Sequence, residues 1–128
     1  MKKTSKAFLV LTCLALYHSC QDTFTQGQRI YSTLCANCHM DDGSGLNDLI
    51  PPLKGSRYLN GEKEGIVCII KNGIRADSLG LTLKYMPSHQ KMTEVEMTNL
   101  LNYLSTTFSS GKPWTLSEIK TLKKNCKP

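Results

Sequence analysis

The sequence predicts a small all-α protein with three to four main helices and a short C-terminal helix. Apolar residues recur at helical spacing in segments 27–34, 63–72 and 97–104. Stretches rich in Gly and Pro separate these segments, as is typical of loops. At 128 residues the chain forms at most one domain, so the helices share one core.

The first two predicted helices have recognisable ends. The first covers residues 27–34 and follows a short tether at residues 20–25, in which Thr25 is a suitable N-cap. The second covers residues 63–72 and ends before Gly73, because glycine often terminates helices.

The last main helix begins after Thr93, since Thr93 and Glu96 form a capping box. Its core-facing stripe is apolar and consists of Met97, Leu100, Leu101 and Leu104. Polar residues are expected on the wetter side of the same helix, namely Asn99, Asn102 and Ser105. Ahead of this helix, residues 75–84 predict a loop or a weak hairpin.

A short extension follows the last main helix. Residues 109–113 predict a break, and residues 116–125 predict a helix with Thr115 as its N-cap and Glu118 at N3. We therefore expect one domain at residues 26–108 and an extension at residues 109–128 that packs on it.

Residues 35–39 read Cys-Ala-Asn-Cys-His, and this C-x-x-C-H spacing is the attachment signature of c-type haem. Two thiols separated by two residues can reach both vinyl groups on one edge of a porphyrin from a single turn of chain. The next residue, His39, then lies beside the iron as its proximal ligand. The motif predicts one haem c, covalently attached through Cys35 and Cys38.

Two other functions also use a C-x-x-C pair. A redox dithiol requires a βαβ context, which the sequence does not show. A zinc site requires four ligands at matching spacings, and the remaining candidates, Cys68 and Cys126, are widely separated single residues. A Cys₄ zinc site remains an alternative that lacks the usual pattern.

The first 19 residues have the composition of an export signal. Three lysines precede an apolar stretch at residues 7–16, which is too short to span a bilayer comfortably. Ser19 then precedes Cys20, as in bacterial lipoprotein signals, although the two residues before Ser19 depart from the usual pattern. We expect export to the periplasmic or cell-surface side and a lipidated Cys20 as membrane anchor; cleavage by ordinary signal peptidase is the alternative.

The charge of the chain changes when the signal is removed. The whole sequence has a net charge of +6, and three of its lysines lie in the signal. No basic stripe with interleaved aromatic residues occurs, so we predict no nucleic-acid partner. The end of the chain stays basic, with five lysines against Glu118 in its last 20 residues. This is either a solvated helix face or a docking patch for an acidic redox partner.

Four features in order resemble the class I monohaem cytochromes c. They are a helix leading into C-x-x-C-H, a Pro-Leu-x-Gly loop at residues 52–55, a Met-Pro pair at residues 86–87, and a Leu-x-x-Tyr-Leu helix end at residues 100–104. The resemblance covers residues 27–104 and implies the all-α cytochrome c fold, with the first and last helices crossing around one haem. Gly27 matches a small position that would let the crossing helix approach closely.

The resemblance also implies a set of site residues. Cys35 and Cys38 match the thioether cysteines, His39 matches the proximal ligand, and Met86 matches the distal ligand. Pro51 lies where the family has a proline whose carbonyl accepts the N–H of the proximal imidazole. Such a bond would fix the orientation of the ring and raise its basicity.

Met86 has rivals as the distal ligand. Met40 would lie on the wrong face of the haem, Met97 lies on the core stripe, and Met92 suits an apolar staple ahead of the last helix. His89 is the remaining rival, although a lone histidine in a loop is usually just exposed. Met86 is preferred because it lies in a loop that the following proline stiffens.

Two cysteines and one tryptophan remain to be explained. Since exported chains tend to oxidise cysteine pairs, Cys68 and Cys126 predict a disulfide that holds the extension and contributes about 4 kcal/mol through loop entropy. The alternative for Cys68 is a small buried apolar residue. Trp114 covers either the junction with the extension or a haem edge.

These features predict a monomeric single-electron carrier, not an enzyme, that serves membrane or periplasmic redox proteins as donor and acceptor. Iron with both axial positions filled has no place for a substrate, which favours outer-sphere electron transfer. The alternative is a haem enzyme or sensor, such as a peroxidase or gas-binding cytochrome, whose distal ligand is labile.

Overall fold

The computed structural model describes residues 22–47, 49–75 and 85–127. These ranges contain six helices: α1 (Asp22–Leu34), α2 (Ala36–His39), α3 (Arg57–Asn60), α4 (Lys63–Asn72), α5 (Glu94–Phe108) and α6 (Leu116–Asn125). The all-α prediction is confirmed. Two isolated antiparallel β-bridges occur within these ranges, one between Leu46 and Ile50 and one between Ile74 and Met86. The export signal, Cys20 and most of the predicted loop at 75–84 lie outside the described residues.

Helix α1 begins at Asp22, five residues before the predicted start at Gly27. Residues 22–25 are therefore helical, and their assignment to a tether, with Thr25 as N-cap, was wrong. Phe24 explains the longer helix, because its ring packs against Tyr103 with centroids 5.2 Å apart. It extends the apolar face of α1 by one turn, and this tertiary contact outweighs the local capping preference of Thr25.

The packing of α1 against α5 holds the core together. A Cβ placed on Gly27 would lie 2.7 Å from the Cβ of Tyr103 and would overlap the carbonyl oxygen of Asn99. The expectation that Gly27 permits a close helix approach is therefore confirmed. Tyr31, Tyr103 and Phe108 form an aromatic cluster beside this contact, with ring centroids 5.3–6.1 Å apart.

The predicted ends of α4 and α5 are confirmed. Gly73 terminates α4 with a φ of 76°, and its N–H donates to the carbonyl of Ile69. Thr93 and Glu96 form the predicted capping box at the start of α5. The four residues of the predicted core stripe of α5 are all buried: Met97, Leu100, Leu101 and Leu104.

Two polar residues of α5 that were expected on its wetter side are instead buried. Asn99 donates a hydrogen bond from Nδ2 to Gln26 Oε1 of α1. The Ser105 hydroxyl accepts a hydrogen bond of 2.8 Å from Nε1 of Trp114. Helix α1 therefore covers Asn99 and the extension covers Ser105, and these two partners satisfy the buried polar groups.

The extension, residues 109–127, packs on α4 and α5. Thr115 and Glu118 form the capping box that opens α6, as predicted. Trp114 is buried at the junction, where Asn102 Oδ1 accepts its backbone N–H at 2.7 Å. Of the two expectations for Trp114, the junction with the extension is correct. Within the described ranges, no helix has the length and apolar character that crossing a bilayer requires.

Candidate haem site

An apolar cavity of about 290 Å³ lies between α4, α5 and the loops that follow α2 and α4. Most of its wall is aliphatic and comes from α3, α4 and α5: Leu59, Ile66, Ile69, Ile70, Leu100 and Leu104. Three of the predicted site residues also line it, namely Cys35, Pro51 and Met86. A flat apolar group with a metal at its centre fits such a wall, because the wall is mainly apolar and also includes the thioether of Met86 and the imidazole of His89.

The C-x-x-C-H segment forms the corner between α1 and the short helix α2. The N–H of Cys38 and that of His39 both donate to the carbonyl of Cys35, at 3.1 and 2.9 Å. This single turn keeps both thiols on one segment of chain, as attachment to one porphyrin edge requires. Cys35 is half-buried on the cavity wall, whereas Cys38 is exposed and is not among the described residues that line the cavity.

The state of the Cys35 thiol argues against a redox dithiol. Burial, and secondly the neighbouring Cys38, raise the pKa of Cys35 to about 11. Catalytic C-x-x-C pairs have a thiol whose pKa is lowered, since the thiolate is the nucleophile. The thiol of Cys35 is instead protonated at neutral pH, and the described residues form no βαβ unit around it.

His39 is connected to the cavity through Pro51. Its Nδ1 lies 3.3 Å from the carbonyl oxygen of Pro51. A carbonyl only accepts hydrogen bonds, so Nδ1 carries the proton and Nε2 keeps a free lone pair. Burial lowers the pKa of His39, and the hydrogen bond to Pro51 partly opposes this effect. The imidazole is therefore neutral at neutral pH, in the tautomer that a metal ligand requires.

The turn after His39 is fixed from α1. The hydroxyl of Tyr31 donates to the carbonyl of Met40, which directly follows the histidine. Burial is the largest cause that raises the pKa of Tyr31, to about 12, so this donor stays protonated at any ordinary pH. Tyr31 also lines the cavity, and it therefore links the core of the helix bundle to the position of His39.

Met86 lies in a segment that is paired with the end of α4. Its backbone exchanges two hydrogen bonds of 2.9 Å with Ile74. The Cβ of any residue other than glycine at position 73 would overlap the carbonyl oxygen of Met86. Sequence reasoning did not predict the role of Ile74, because a single bridge between residues 12 positions apart leaves no periodic pattern.

The rivals of Met86 occupy different surroundings. Met97 is fully buried in the core and Met92 is 7% exposed. Neither of them lines the cavity. Met40 is half-buried, with a φ of 62°. His89 is half-buried and does line the cavity, together with Met86.

The remaining cysteines do not support the zinc alternative. Cys68 and Cys126 form a disulfide with a sequence separation of 58, as predicted. Their thiols are therefore not available as ligands beside Cys35 and Cys38. Within the ranges 22–47, 49–75 and 85–127, no group of three or more His, Cys, Asp or Glu side chains is placed to hold a metal ion.

The lysines of the extension lie away from the cavity, because no residue after Leu104 is among its described lining residues. Lys123 is engaged in a salt bridge of 3.1 Å with Glu94, and its side chain is only 14% exposed. Lys71 donates to the carbonyls of Lys123 and Cys126 at the end of α6. Part of this basic segment therefore stabilises the extension.

A helical fold around an apolar cavity, with the Cys35 thiol on its wall and with Cys38 and an oriented His39 imidazole in the same turn of chain, defines a protein built to hold a covalently attached porphyrin. Comparisons with known proteins agree. The profile of a family described as cytochrome c oxidase, cbb3-type, subunit III matches residues 22–104. A cytochrome c-552 of Thermus thermophilus is 30% identical over 136 residues, which covers 96% of this chain and 87% of the relative.

Two further relatives are more distant. Another cytochrome c-552 of Thermus thermophilus is 28% identical over 110 residues, covering 76% of this chain and 83% of the relative. The cytochrome c subunit of a quinone alcohol dehydrogenase from Gluconobacter oxydans is 25% identical over 95 residues, covering 71% of this chain and 20% of that protein. The chain belongs to the cytochrome c family, and it is a monohaem protein of a family of electron carriers that bind haem c covalently.

Proposed function

We propose that this protein carries single electrons through one haem c that is attached at Cys35 and Cys38, with His39 and Met86 as axial ligands. The observation that carries the proposal is the shared cavity, whose wall includes Cys35, Pro51 and Met86. These three residues come from separate segments of the chain, and together they bring a thiol and a thioether to one cavity.

The chain supplies each axial ligand in a fixed orientation. Pro51 accepts the Nδ1 proton of His39, which leaves Nε2 for the metal. The bridge to Ile74 fixes the backbone of Met86 at the cavity wall, which supports its role as the distal ligand. When bound, haem c supplies an iron that gains and loses one electron. A thioether ligand favours the reduced iron relative to a second imidazole and so raises the reduction potential.

Filled axial positions separate this proposal from its alternative. A peroxidase or a gas sensor needs an open or readily opened position at the iron. Here two backbone hydrogen bonds hold the Met86 segment at the cavity wall, which keeps the thioether placed to fill the distal position. We therefore propose an electron carrier that is not itself an enzyme.

The ligands can be tested with the holoprotein produced in a host that performs cytochrome maturation. The ferric wild type is expected to show a low-spin spectrum with the far-red band of Met–Fe(III) ligation. Met86→Ala should keep its covalently attached haem, lose the far-red band and have a lower reduction potential. A far-red band that persists in Met86→Ala would show that another side chain is the distal ligand.

Redox partners are proposed to approach the surface beside Leu34 and His89. Leu34 directly precedes Cys35 and is 45% exposed. It lines a second, open depression together with His89, which also belongs to the wall of the main cavity. Small and transient contacts are typical of electron-transfer partners, so a compact surface with an exposed apolar residue, Leu34, suffices.

Electron self-exchange between two copies of the protein tests this surface without knowledge of the natural partner. Leu34→Glu should slow self-exchange, measured by NMR line broadening in mixed-valence samples, because two negative charges would then meet at the contact. Leu116→Glu is the matched control, since Leu116 is 39% exposed but lies on the extension. Equal slowing in both variants would rule out the proposed surface.

We propose export and a lipid anchor at Cys20. Because α1 begins at Asp22, only one residue separates Cys20 from the first helix. An acyl chain on Cys20 would therefore keep the domain close to the membrane surface. Cys20→Ala should move the protein from the membrane fraction to the soluble fraction without loss of haem. Protein that stays with the membranes after this substitution would contradict the anchor.

A further inference from the structure

His89 is an imidazole on the described cavity wall that the proposed function leaves unused. The sequence contains three histidines: His18 in the predicted export signal, His39 in C-x-x-C-H, and His89. Once the signal is removed, the chain has a single imidazole besides the proximal ligand. His89 lies three residues after Met86, and both residues line the same cavity.

Backbone contacts keep His89 at this wall independently of the Met86 side chain. Its N–H donates to the carbonyl of Ile70 in α4 at 3.0 Å, and its carbonyl accepts from the N–H of Met92 at 3.0 Å. Met86 is tied to Ile74 just beyond the same helix. The segment 86–89 is thus anchored at both ends, so removing the thioether leaves the position of His89 intact.

The imidazole of His89 is also chemically available. It is half-buried, and it makes no hydrogen bond or ion pair with any residue that the structure describes. A neutral imidazole is the commonest metal ligand among side chains, and it favours the oxidised iron more than a thioether does. The two tyrosine hydroxyls of the cavity wall are already hydrogen-bonded, that of Tyr31 to the carbonyl of Met40 and that of Tyr58 to Arg57.

We propose that His89 is a second distal ligand, which binds the iron when the thioether of Met86 is absent. This inference rests on the proposed His39 and Met86 ligation. It means that loss of Met86 gives a low-spin protein with two imidazole ligands, not an open binding site. The protein would thereby remain an electron carrier, at a lower potential, after its sulfur ligand is lost.

The test compares ferric holoproteins by optical and electron paramagnetic resonance spectroscopy and by titration with free imidazole. Met86→Leu preserves the packing volume and Met86→Ala does not, so the two together separate ligation from packing. Both should be low-spin without the far-red band. Adding His89→Ala should make each high-spin and increase its apparent affinity for imidazole about tenfold, because the probe no longer displaces a ligand that occupies most molecules.

Gln90→Ala provides the matched control, since Gln90 is the next residue and lines only the neighbouring depression. Combined with Met86→Leu, it should leave the low-spin spectrum and the imidazole affinity unchanged. A high-spin Met86→Leu protein that His89→Ala does not alter would overturn the role of His89 while leaving Met86 as the native ligand. Persistence of the far-red band in Met86→Leu would instead overturn the proposed function itself.

Discussion

Cys35 and Cys38 lie in one turn of chain beside an apolar cavity, whereas Cys68 and Cys126 join segments that are 58 residues apart. The second pair forms a disulfide, whereas the first pair does not. The same side chain thus has two roles, and the surroundings decide between them. Two cysteines separated by two residues beside a cavity are suited to attaching a cofactor. Two cysteines that are distant in sequence and brought together by packing cross-link the fold.

Helix α4 shows how the two roles are kept apart. Ile66, Ile69 and Ile70 face the cavity, and Cys68 and Lys71 face the extension. One side of this helix therefore lines the proposed haem cavity, and the other side contacts the extension. This arrangement predicts that damage to the extension changes stability and damage to the cavity changes the cofactor.

The largest effect should come from the cofactor cysteines. Cys35→Ala combined with Cys38→Ala should abolish covalent haem, which is measured by haem staining after denaturing electrophoresis. Cys68→Ala combined with Cys126→Ala should stain like the wild type. Equal loss of staining in both double variants would show that the two roles are not separable.

The disulfide should account for the next largest effect. Its removal in the Cys68→Ala and Cys126→Ala protein should lower the free energy of unfolding by about 4 kcal/mol in the chain-entropy model. Urea unfolding of the holoprotein measures this difference, and the haem spectrum should be unchanged in the native state. An unfolding midpoint like that of the wild type would contradict a stabilising cross-link.

A smaller effect is expected at Gly73, on the cavity side of α4. Its φ of 76° and ψ of −176° and its contact with the Met86 segment all oppose a Cβ, so Gly73→Ala should cost about 1–3 kcal/mol and weaken the far-red band. Gly61→Ala is the control, because no atom lies within 4 Å of its added Cβ. A far-red band of full intensity in Gly73→Ala would mean that Met86 is positioned by other contacts.

The smallest effect concerns Glu118 in the capping box of α6 and the pH dependence of its contribution to stability. The hydrogen bond from Lys63, and then those from Thr115, lower the pKa of Glu118 to about 2. Because the folded-state pKa lies below the ordinary value, this stabilisation is present above about pH 4.5 and is lost as the pH falls through about 2. Glu118→Gln should cost below about 1 kcal/mol at pH 7, since the pair is partly exposed. The difference in unfolding free energy between the wild type and Glu118→Gln should therefore be smaller near pH 2 than at pH 7. A difference that is equal at both pH values would contradict the lowered pKa of Glu118.

Local signals in the sequence predicted most of the architecture. The capping boxes at Thr93 and Thr115, the end of α4 at Gly73 and the core stripe of α5 all depend on residues within one or two turns of each other. The C-x-x-C-H motif is equally local. Each of these features could be predicted because its physical cause is contained in a short window of sequence.

Contacts between distant segments explain what the sequence did not predict. Asn99 is satisfied by Gln26, which is 73 residues away, and Ser105 is satisfied by Trp114, which lies nine residues away in the extension. The early start of α1 similarly depends on the contact of Phe24 with Tyr103. The placement of His89 on the cavity wall also required the fold, since a lone loop histidine gives no pattern of its own.

The most direct measurement is the optical spectrum of the purified mature wild-type protein in both redox states, combined with haem staining. We expect one covalently held haem per chain, low-spin in both states, with a far-red band in the oxidised protein that disappears on reduction. A colourless protein, or a high-spin ferrous form that takes up carbon monoxide at once, would contradict the proposed haem site.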